Sequence, residues 1–300
     1  MENHYQLFGL TLKSELEFIE LLPSQNDQPD IEIVMGDVPE ELDRMVVKGV
    51  LFQAGQNQCL FRIRDVANYL VENGNRITVE IINDSEPGLI RAFLLGAVFG
   101  ALLYQRGYLL LHGSAINSDK GAVVFCGASG VGKSTLAALM AEQGHQILTD
   151  DICAVYLDND QNPTLLPAYP QLRLWSEALR KFSISTPEGR KQISERQLKF
   201  AVLKKNNFNP DPRLLRKIFI LGTHNKDEFV LKHLQGMDKV RLLRRHIYLS
   251  RLESINHHKA DRFNLLSEIT NQTDVIHLAR PQTGNRSKEI CDLVKQELDR

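Results

Sequence analysis

The stretch that most constrains this chain is Gly127-Ala128-Ser129-Gly130-Val131-Gly132-Lys133-Ser134-Thr135, which satisfies the pattern G-x-x-x-x-G-K-[ST]. Glycines at these positions let the backbone curl so that several N–H groups point inward. The N-terminus of a following helix adds positive partial charge at the same place. A lysine at this spacing reaches the β- and γ-phosphates of a nucleotide, and the adjacent Ser134 hydroxyl can ligate Mg2+. The flanks agree with that use. GAVVFC (121–126) reads as a buried strand, and Lys133 to about Gln143 reads as a helix. A strand, a glycine-rich loop and a helix in that order predict an α/β layer with all nine loop residues contacting phosphate.

The acidic partners come next. Asp150 and Asp151 close the strand-like run QILTDD (146–151), and the end of a neighbouring strand is where a phosphoryl-transfer protein holds its metal or its nucleophile. Strand alternation predicts that adjacent side chains point to opposite faces, hence separate roles for the two. His112 closes another strand-like run, LLLH (109–112), and is followed by Gly113-Ser114. A lone histidine is more often structural than functional. Its place beside the loop strand makes His112 a candidate.

Elsewhere the sequence is quieter. At 300 residues and about 150 per domain, two domains are expected. We draw them as a β-rich unit over 1–85 and an α/β unit over 86–300, with a helix over 86–106 as the joint. The first unit shows strand-like runs at Ile31–Met35, Val46–Phe52 and Cys59–Ile63, and a hairpin of Tyr69–Val71 with Arg76–Ile82 turning on Asn73-Gly74. The joint helix begins near Asp84-Ser85-Glu86-Pro87, and Gly96 and Gly100, four apart, suggest close packing on one face. Its apolar part, Ala92–Tyr104, is 13 residues, short for a bilayer. Further strands are expected at CAVYL (153–157), TLLPAYPQLRLW (164–175) and KIFIL (217–221), and a final helix over 286–299. The polar stretch 183–213, with Pro187, Pro210 and Pro212, reads as a loop able to close over a substrate. Arg241 to His246 forms a basic segment, and His257-His258 reads as a surface pair.

The charge balance is even, 36 Lys+Arg against 37 Asp+Glu, which gives no reason to expect nucleic acid or an anionic membrane as partner. Cys59, Cys126, Cys153 and Cys291 are scattered without zinc-ligand spacing, so a reduced, cytoplasmic setting is expected.

His112-Gly113, the loop GASGVGKST, Gly144-His145 and Thr149-Asp150-Asp151 occur in an order that resembles the catalytic domain of the HPr kinase/phosphorylase family. The resemblance covers roughly residues 108–175, and the chain looks closest to HPr kinase-like proteins that phosphorylate lasso peptide precursors. It implies an α/β P-loop kinase domain beside a small β-rich N-terminal domain, a homo-oligomer, and ATP with Mg2+ as cofactors. It implies transfer of phosphoryl to a serine hydroxyl of a peptide or protein. By position, Asp150 would be the general base, Asp151 and His112 its supports, Ser134 and Asp151 the metal ligands, and Arg173 a phosphate or acceptor contact. The chain departs from the family at Gln171, where the bifunctional enzymes carry a glutamate, and it lacks their later glycine-rich signature. Both departures imply a kinase working forward only. Two readings from other classes stand beside this one: a kinase for free serine, and a regulatory protein that uses ATP as a switch.

Overall fold

The computed structural model describes residues 3–175, 192–194, 197–203, 205–255, 259–284 and 286–300. Residues 3–81 fold into one nine-stranded sheet. Its strands are β1 (Asn3–Leu7), β2 (Leu10–Ser14), β3 (Leu22–Pro23), β4 (Ile31–Met35), β5 (Val47–Lys48), β6 (Phe52–Ala54), β7 (Gln58–Ile63), β8 (Ala67–Glu72) and β9 (Arg76–Ile81). Their spatial order is β3-β1-β2-β4-β9-β8-β7-β6-β5, with β4 parallel to both β2 and β9 and the remaining pairs antiparallel. The hairpin at Asn73-Gly74 forms as its sequence requires, both residues taking positive φ (52° and 68°). The run Val46–Phe52 does not stay one strand. Gly49 N–H bonds to Phe52 O, and the chain folds back there into β5 and β6.

The joint helix spans Pro87–Gln105 but is interrupted. α1 (Pro87–Phe93) and α2 (Phe99–Gln105) flank a π-type turn over Leu94–Val98, in which Gly96 leaves helical geometry (φ −109°, ψ −112°). Such a turn bends a helix where a ladder hydrogen bond is lost. The helical run is 19 residues, longer than its apolar segment suggested; its most apolar 18-residue stretch has a mean hydropathy of 1.7 and is 61% buried. One hydrophobic cluster joins Leu12 and Tyr69 of the first sheet, Leu94 and Leu102 of the helix, and Ile152 and Leu166 of the sheet that follows.

That second sheet contains β10 (Leu109–Ser118), β11 (Gly121–Gly127), β12 (Gln146–Leu157), β13 (Pro163–Leu166), β17 (Arg213–His224), β18 (Val230–His233) and β19 (Asp274–Pro281). It is mixed: β11, β17 and β19 run parallel and the rest antiparallel. Because β11 pairs with both β10 and β17, the strands β10–β13 and β17 close on themselves. A separate three-stranded sheet holds β14 (Gln171–Trp175), β15 (Gln192–Ser194) and β16 (Gln197–Leu203). Helices α3 (Lys133–Glu142), α4 (Met237–Arg244), α5 (Lys259–Gln272) and α6 (Ser287–Asp299) complete the fold, with a 3-10 turn at Ser250–Ile255. The chain is thus α/β with mixed sheets.

Two strand expectations are corrected here. LLLH is only the start of the ten-residue β10, and QILTDD and CAVYL are one strand, β12, so the tandem aspartates lie in mid-strand rather than at its end. The stretch 183–213, expected as a loop, is corrected in its described part: Gln192–Ser194 and Gln197–Leu203 pair as the strands β15 and β16, a 3-10 turn follows at Lys205–Asn207, and β17 begins at Arg213. His257-His258 and the rest of 183–204 lie outside the described residues.

Candidate functional site

β11 runs into the glycine-rich loop, and α3 begins at Lys133, as the sequence order predicted. Gly130 and Gly132 take φ of +83° and +109°, and a Cβ at either would meet nothing within 4 Å. Their requirement is therefore conformational rather than spatial. No side chain caps α3, so its first N–H groups remain available at the loop. The buried Lys133 folds over this loop, Nζ donating to Gly127 O (3.0 Å) and Ala128 O (3.1 Å).

Asp150 lies beside it on β12. Ser134 Oγ donates to its Oδ1 at 2.8 Å, Ser114 Oγ donates to the same oxygen at 2.6 Å, and Arg173 N–H donates to Oδ2 at 2.7 Å. Asp150 is only 7% exposed. Burial pushes its carboxyl above the ordinary carboxylate range, the three hydrogen bonds pull the other way, and the charge of Asp151 adds to the rise. Ser114 reaches Asp150 because β10 pairs Ser114 with Asp150 and Gly113 with Asp151. Gly113 permits this register. A Cβ there would lie 2.8 Å from Phe125 O and 3.3 Å from Cys153 Sγ.

Asp151 takes φ +76°, rare for a residue other than glycine and tolerated best by Asn and Asp. The alternation expected of a strand is broken at this point. Its carboxylate meets the guanidinium of Arg173 (Nη1 to Oδ2, 3.1 Å) and His112 Nδ1 (3.3 Å to Oδ1), while the backbone N–H of the same arginine holds Asp150. Both aspartates therefore share Arg173 instead of serving separate faces. Tyr169, foremost, and the two aspartates keep the Arg173 guanidinium firmly charged, and Tyr169 Oη accepts from its Nη2 at 3.4 Å.

His112 is braced from behind. Its N–H donates to His246 O (2.7 Å), Tyr248 N–H donates to Leu110 O (2.8 Å), and the Tyr248 ring stacks on the imidazole with centroids 6.0 Å apart. Gly100 of the kinked helix lies under that tyrosine; a Cβ there would come within 2.9 Å of Tyr248 Cε1. Of the pair Gly96 and Gly100, Gly100 makes the close contact expected of it, whereas a Cβ at Gly96 would touch nothing within 4 Å. In the basic segment Arg241 pairs with Asp238, and His246 feels the charges of Lys133, His112 and Arg245; burial first, then these, lower its pKa.

The structure thus gathers Lys133, Ser134, Asp150, Asp151, His112 and Arg173 into one site. It pairs Ser134 with Asp150 rather than with Asp151, the aspartate to which the family resemblance gave the metal. His145 stays apart, its Nδ1 3.3 Å from Asn117 O. Sequence reasoning missed Ser114, Tyr169 and Tyr248. Ser114 alone had a local signal: two positions after His112 on the same strand, it faces the same way. Among the described residues no group of three or more His, Cys, Asp or Glu could hold a metal. A metal at this site would therefore be of the kind held by few protein oxygens together with phosphate oxygens, which is how Mg2+ is bound. The hydroxyl of Ser134 and the carboxylate of Asp151, both adjoining Asp150, are oxygen donors that fit it.

No family model matches the chain, and no curated protein matches it. Among solved structures it is similar to the HPr(Ser) kinase/phosphatase from Coxiella burnetii, at 14% identity and a TM-score of 0.33, over 63% of this chain and 89% of that one.

Proposed function

We propose that this protein is an ATP-dependent kinase that transfers the γ-phosphoryl group to a serine hydroxyl of a peptide or protein, with Mg2+ as its metal. The observation that carries the reading is the hydrogen bond from Ser134, the hydroxyl of the glycine-rich loop, to the buried carboxylate of Asp150. It joins a phosphate cradle to a proton acceptor within one site. When bound, Mg2+-ATP supplies an electrophilic phosphorus and its leaving group.

The chain's own residues do the rest. Lys133 and the open N–H groups of α3 neutralise phosphate charge. Asp150, whose carboxyl burial raises above the ordinary carboxylate range, accepts the proton of the attacking hydroxyl. Ser114 and the Arg173 N–H fix the orientation of that carboxylate. Arg173 and His112 clamp Asp151, which with Ser134 would hold the metal. Gln171, a neutral amide, adds no metal-binding charge, which favours forward transfer.

Labelled ATP, Mg2+ and a panel of HPr, free serine and serine-bearing peptides, lasso peptide precursors among them, test the reading. Label on a peptide is expected. Label on free serine alone, or ATP binding with no transfer to any acceptor, overturns it.

A further inference from the structure

A second cavity of about 400 Å³ lies away from the aspartates, between the turn after β6, the end of the kinked helix, and α5. Its floor is apolar, with Ala54, Ala101, Leu252 and Leu265, and its rim carries the amides of Gln56, Asn57 and Gln58. Two arginines line it, Arg106 and Arg262, and among the described residues no acidic side chain does.

Neither arginine has a carboxylate within ion-pair distance among the described residues. Arg106 donates from Nη1 to Gly74 O at 2.8 Å. Arg262 donates from Nη2 to Tyr104 O at 2.7 Å, and its guanidinium carbon stands 3.3 Å from the centroid of the Tyr104 ring. Its Nε is buried with no hydrogen-bond partner among the described residues. A guanidinium carries five donors, so this one is far from satisfied. Glu253 attracts it from a distance, yet burial lowers its pKa, the mark of a charge that its surroundings do not fully compensate.

We propose that this cavity binds a small organic carboxylate, its anionic end at Arg262 and Arg106 and its hydrocarbon body on the apolar floor. The volume falls in the range of small-molecule sites, about 300–1,000 Å³. Guanidinium donors match a carboxylate two-to-two. A phosphorylated sugar fits the same charges less well, because its hydroxyls would lie against Ala101, Leu252 and Leu265. The wall also connects to the first site. Tyr104 Oη donates to Leu252 O at 2.7 Å, and Leu252 sits four residues after Tyr248, which stacks on His112. This site stands independently of the kinase reading, because its occupancy is measured without ATP.

The test titrates the full-length protein with 3-phenylpropionate, hexanoate, the neutral 3-phenylpropanamide and inorganic phosphate, followed by calorimetry and by ligand-induced rise in Tm. Saturable binding of the two carboxylates is expected, at least about tenfold tighter than the amide. Arg262→Met and, separately, Arg106→Met should each weaken carboxylate binding by at least about tenfold, with the circular dichroism spectrum unchanged. If Arg262→Met fails to fold, Arg106→Met and the carboxylate-to-amide ratio decide. Equal affinity for acid and amide, preference for phosphate, or no saturable binding of either carboxylate overturns the proposal.

Discussion

Replacing Asp150 by asparagine separates chemistry from architecture, because the hydrogen-bond pattern around this residue can be rebuilt. The native carboxylate accepts two hydroxyls at Oδ1 and the Arg173 N–H at Oδ2. An asparagine can turn its carbonyl oxygen to the Arg173 N–H, which only donates. Its amide then faces Ser114 and Ser134, whose hydroxyls rotate and accept as well as donate. Each partner keeps a hydrogen bond to the side chain and the burial of a charge is relieved, while the hydroxyl protons of Ser114 and Ser134 lose their acceptor, so Asp150→Asn should cost about 1 kcal/mol. The contrast is Asp150→Leu, which leaves the buried Arg173 N–H without a partner at about 1–3 kcal/mol and should lower Tm visibly. Turnover behaves differently. Loss of a general base costs about 10²–10⁴ in rate, or about 3–5 kcal/mol of barrier. Thermal unfolding, calorimetry with ATP and Mg2+, and steady-state phosphoryl transfer on one preparation check all three. Expected is a stable variant of near-normal ATP affinity that is almost inactive. Wild-type turnover would remove Asp150 from the mechanism, and lost ATP affinity would make it a metal ligand instead of the base.

Four further outcomes are expected. Lys133→Ala should abolish nucleotide binding and turnover while leaving Tm nearly unchanged, since the two loop carbonyls it releases can be hydrated; calorimetry and unfolding check this, and wild-type turnover would refute it. Gly100→Ala should drive a methyl into the Tyr248 ring that braces His112, costing about 1–3 kcal/mol by overpacking, and an unchanged denaturation midpoint would refute that. His277 has its pKa lowered, chiefly by burial and then by Lys232 and His224, so the unfolded chain binds the proton more readily. Its contribution is present above the ordinary value of 6.5 and fades as pH falls through the folded value; His277→Gln should flatten the stability profile below pH 6.5, and an identical slope would be the contrary result. Phosphorylated product with inorganic phosphate should release neither ATP nor pyrophosphate, and release of either would show that Gln171 does not limit the direction.

Much of this was legible where the physics is local. The loop from Gly127 to Thr135, the strand before it and the helix after it follow from glycine conformations and hydrophobic runs, and the Asn73-Gly74 hairpin follows from its turn residues. Strands β1 and β2 were not read, because the turn between them rests on Phe8, a bulky residue at φ +51° that no turn rule anticipates. Its ring lies in the core against Phe99 at 5.8 Å, so tertiary packing sets a backbone conformation that local preference disfavours. The break of the joint helix at Gly96 was hidden for a related reason. Gly96 and Gly100 look alike in sequence, and only the position of Tyr248 in space distinguishes them.

The tandem aspartates show the same limit at the site itself. Their identities could be read, and their geometry could not, because Asp151 departs from strand alternation. A residue other than glycine at φ +76° costs on the order of 1–3 kcal/mol and persists only where its surroundings hold it. Its holders are His112, 39 residues earlier, and Arg173, 22 residues later. No window of local sequence contains both. Arg173 joins the two aspartates through different atoms, its N–H to Asp150 and its guanidinium to Asp151, so the strand that carries it fixes their relative placement. The strained backbone then has a physical purpose. A regular strand would turn the Asp151 carboxylate to the far side of the sheet from Asp150. The left-handed residue brings it to the arginine whose N–H holds Asp150, and Asp150 in turn accepts from the serine of the phosphate loop.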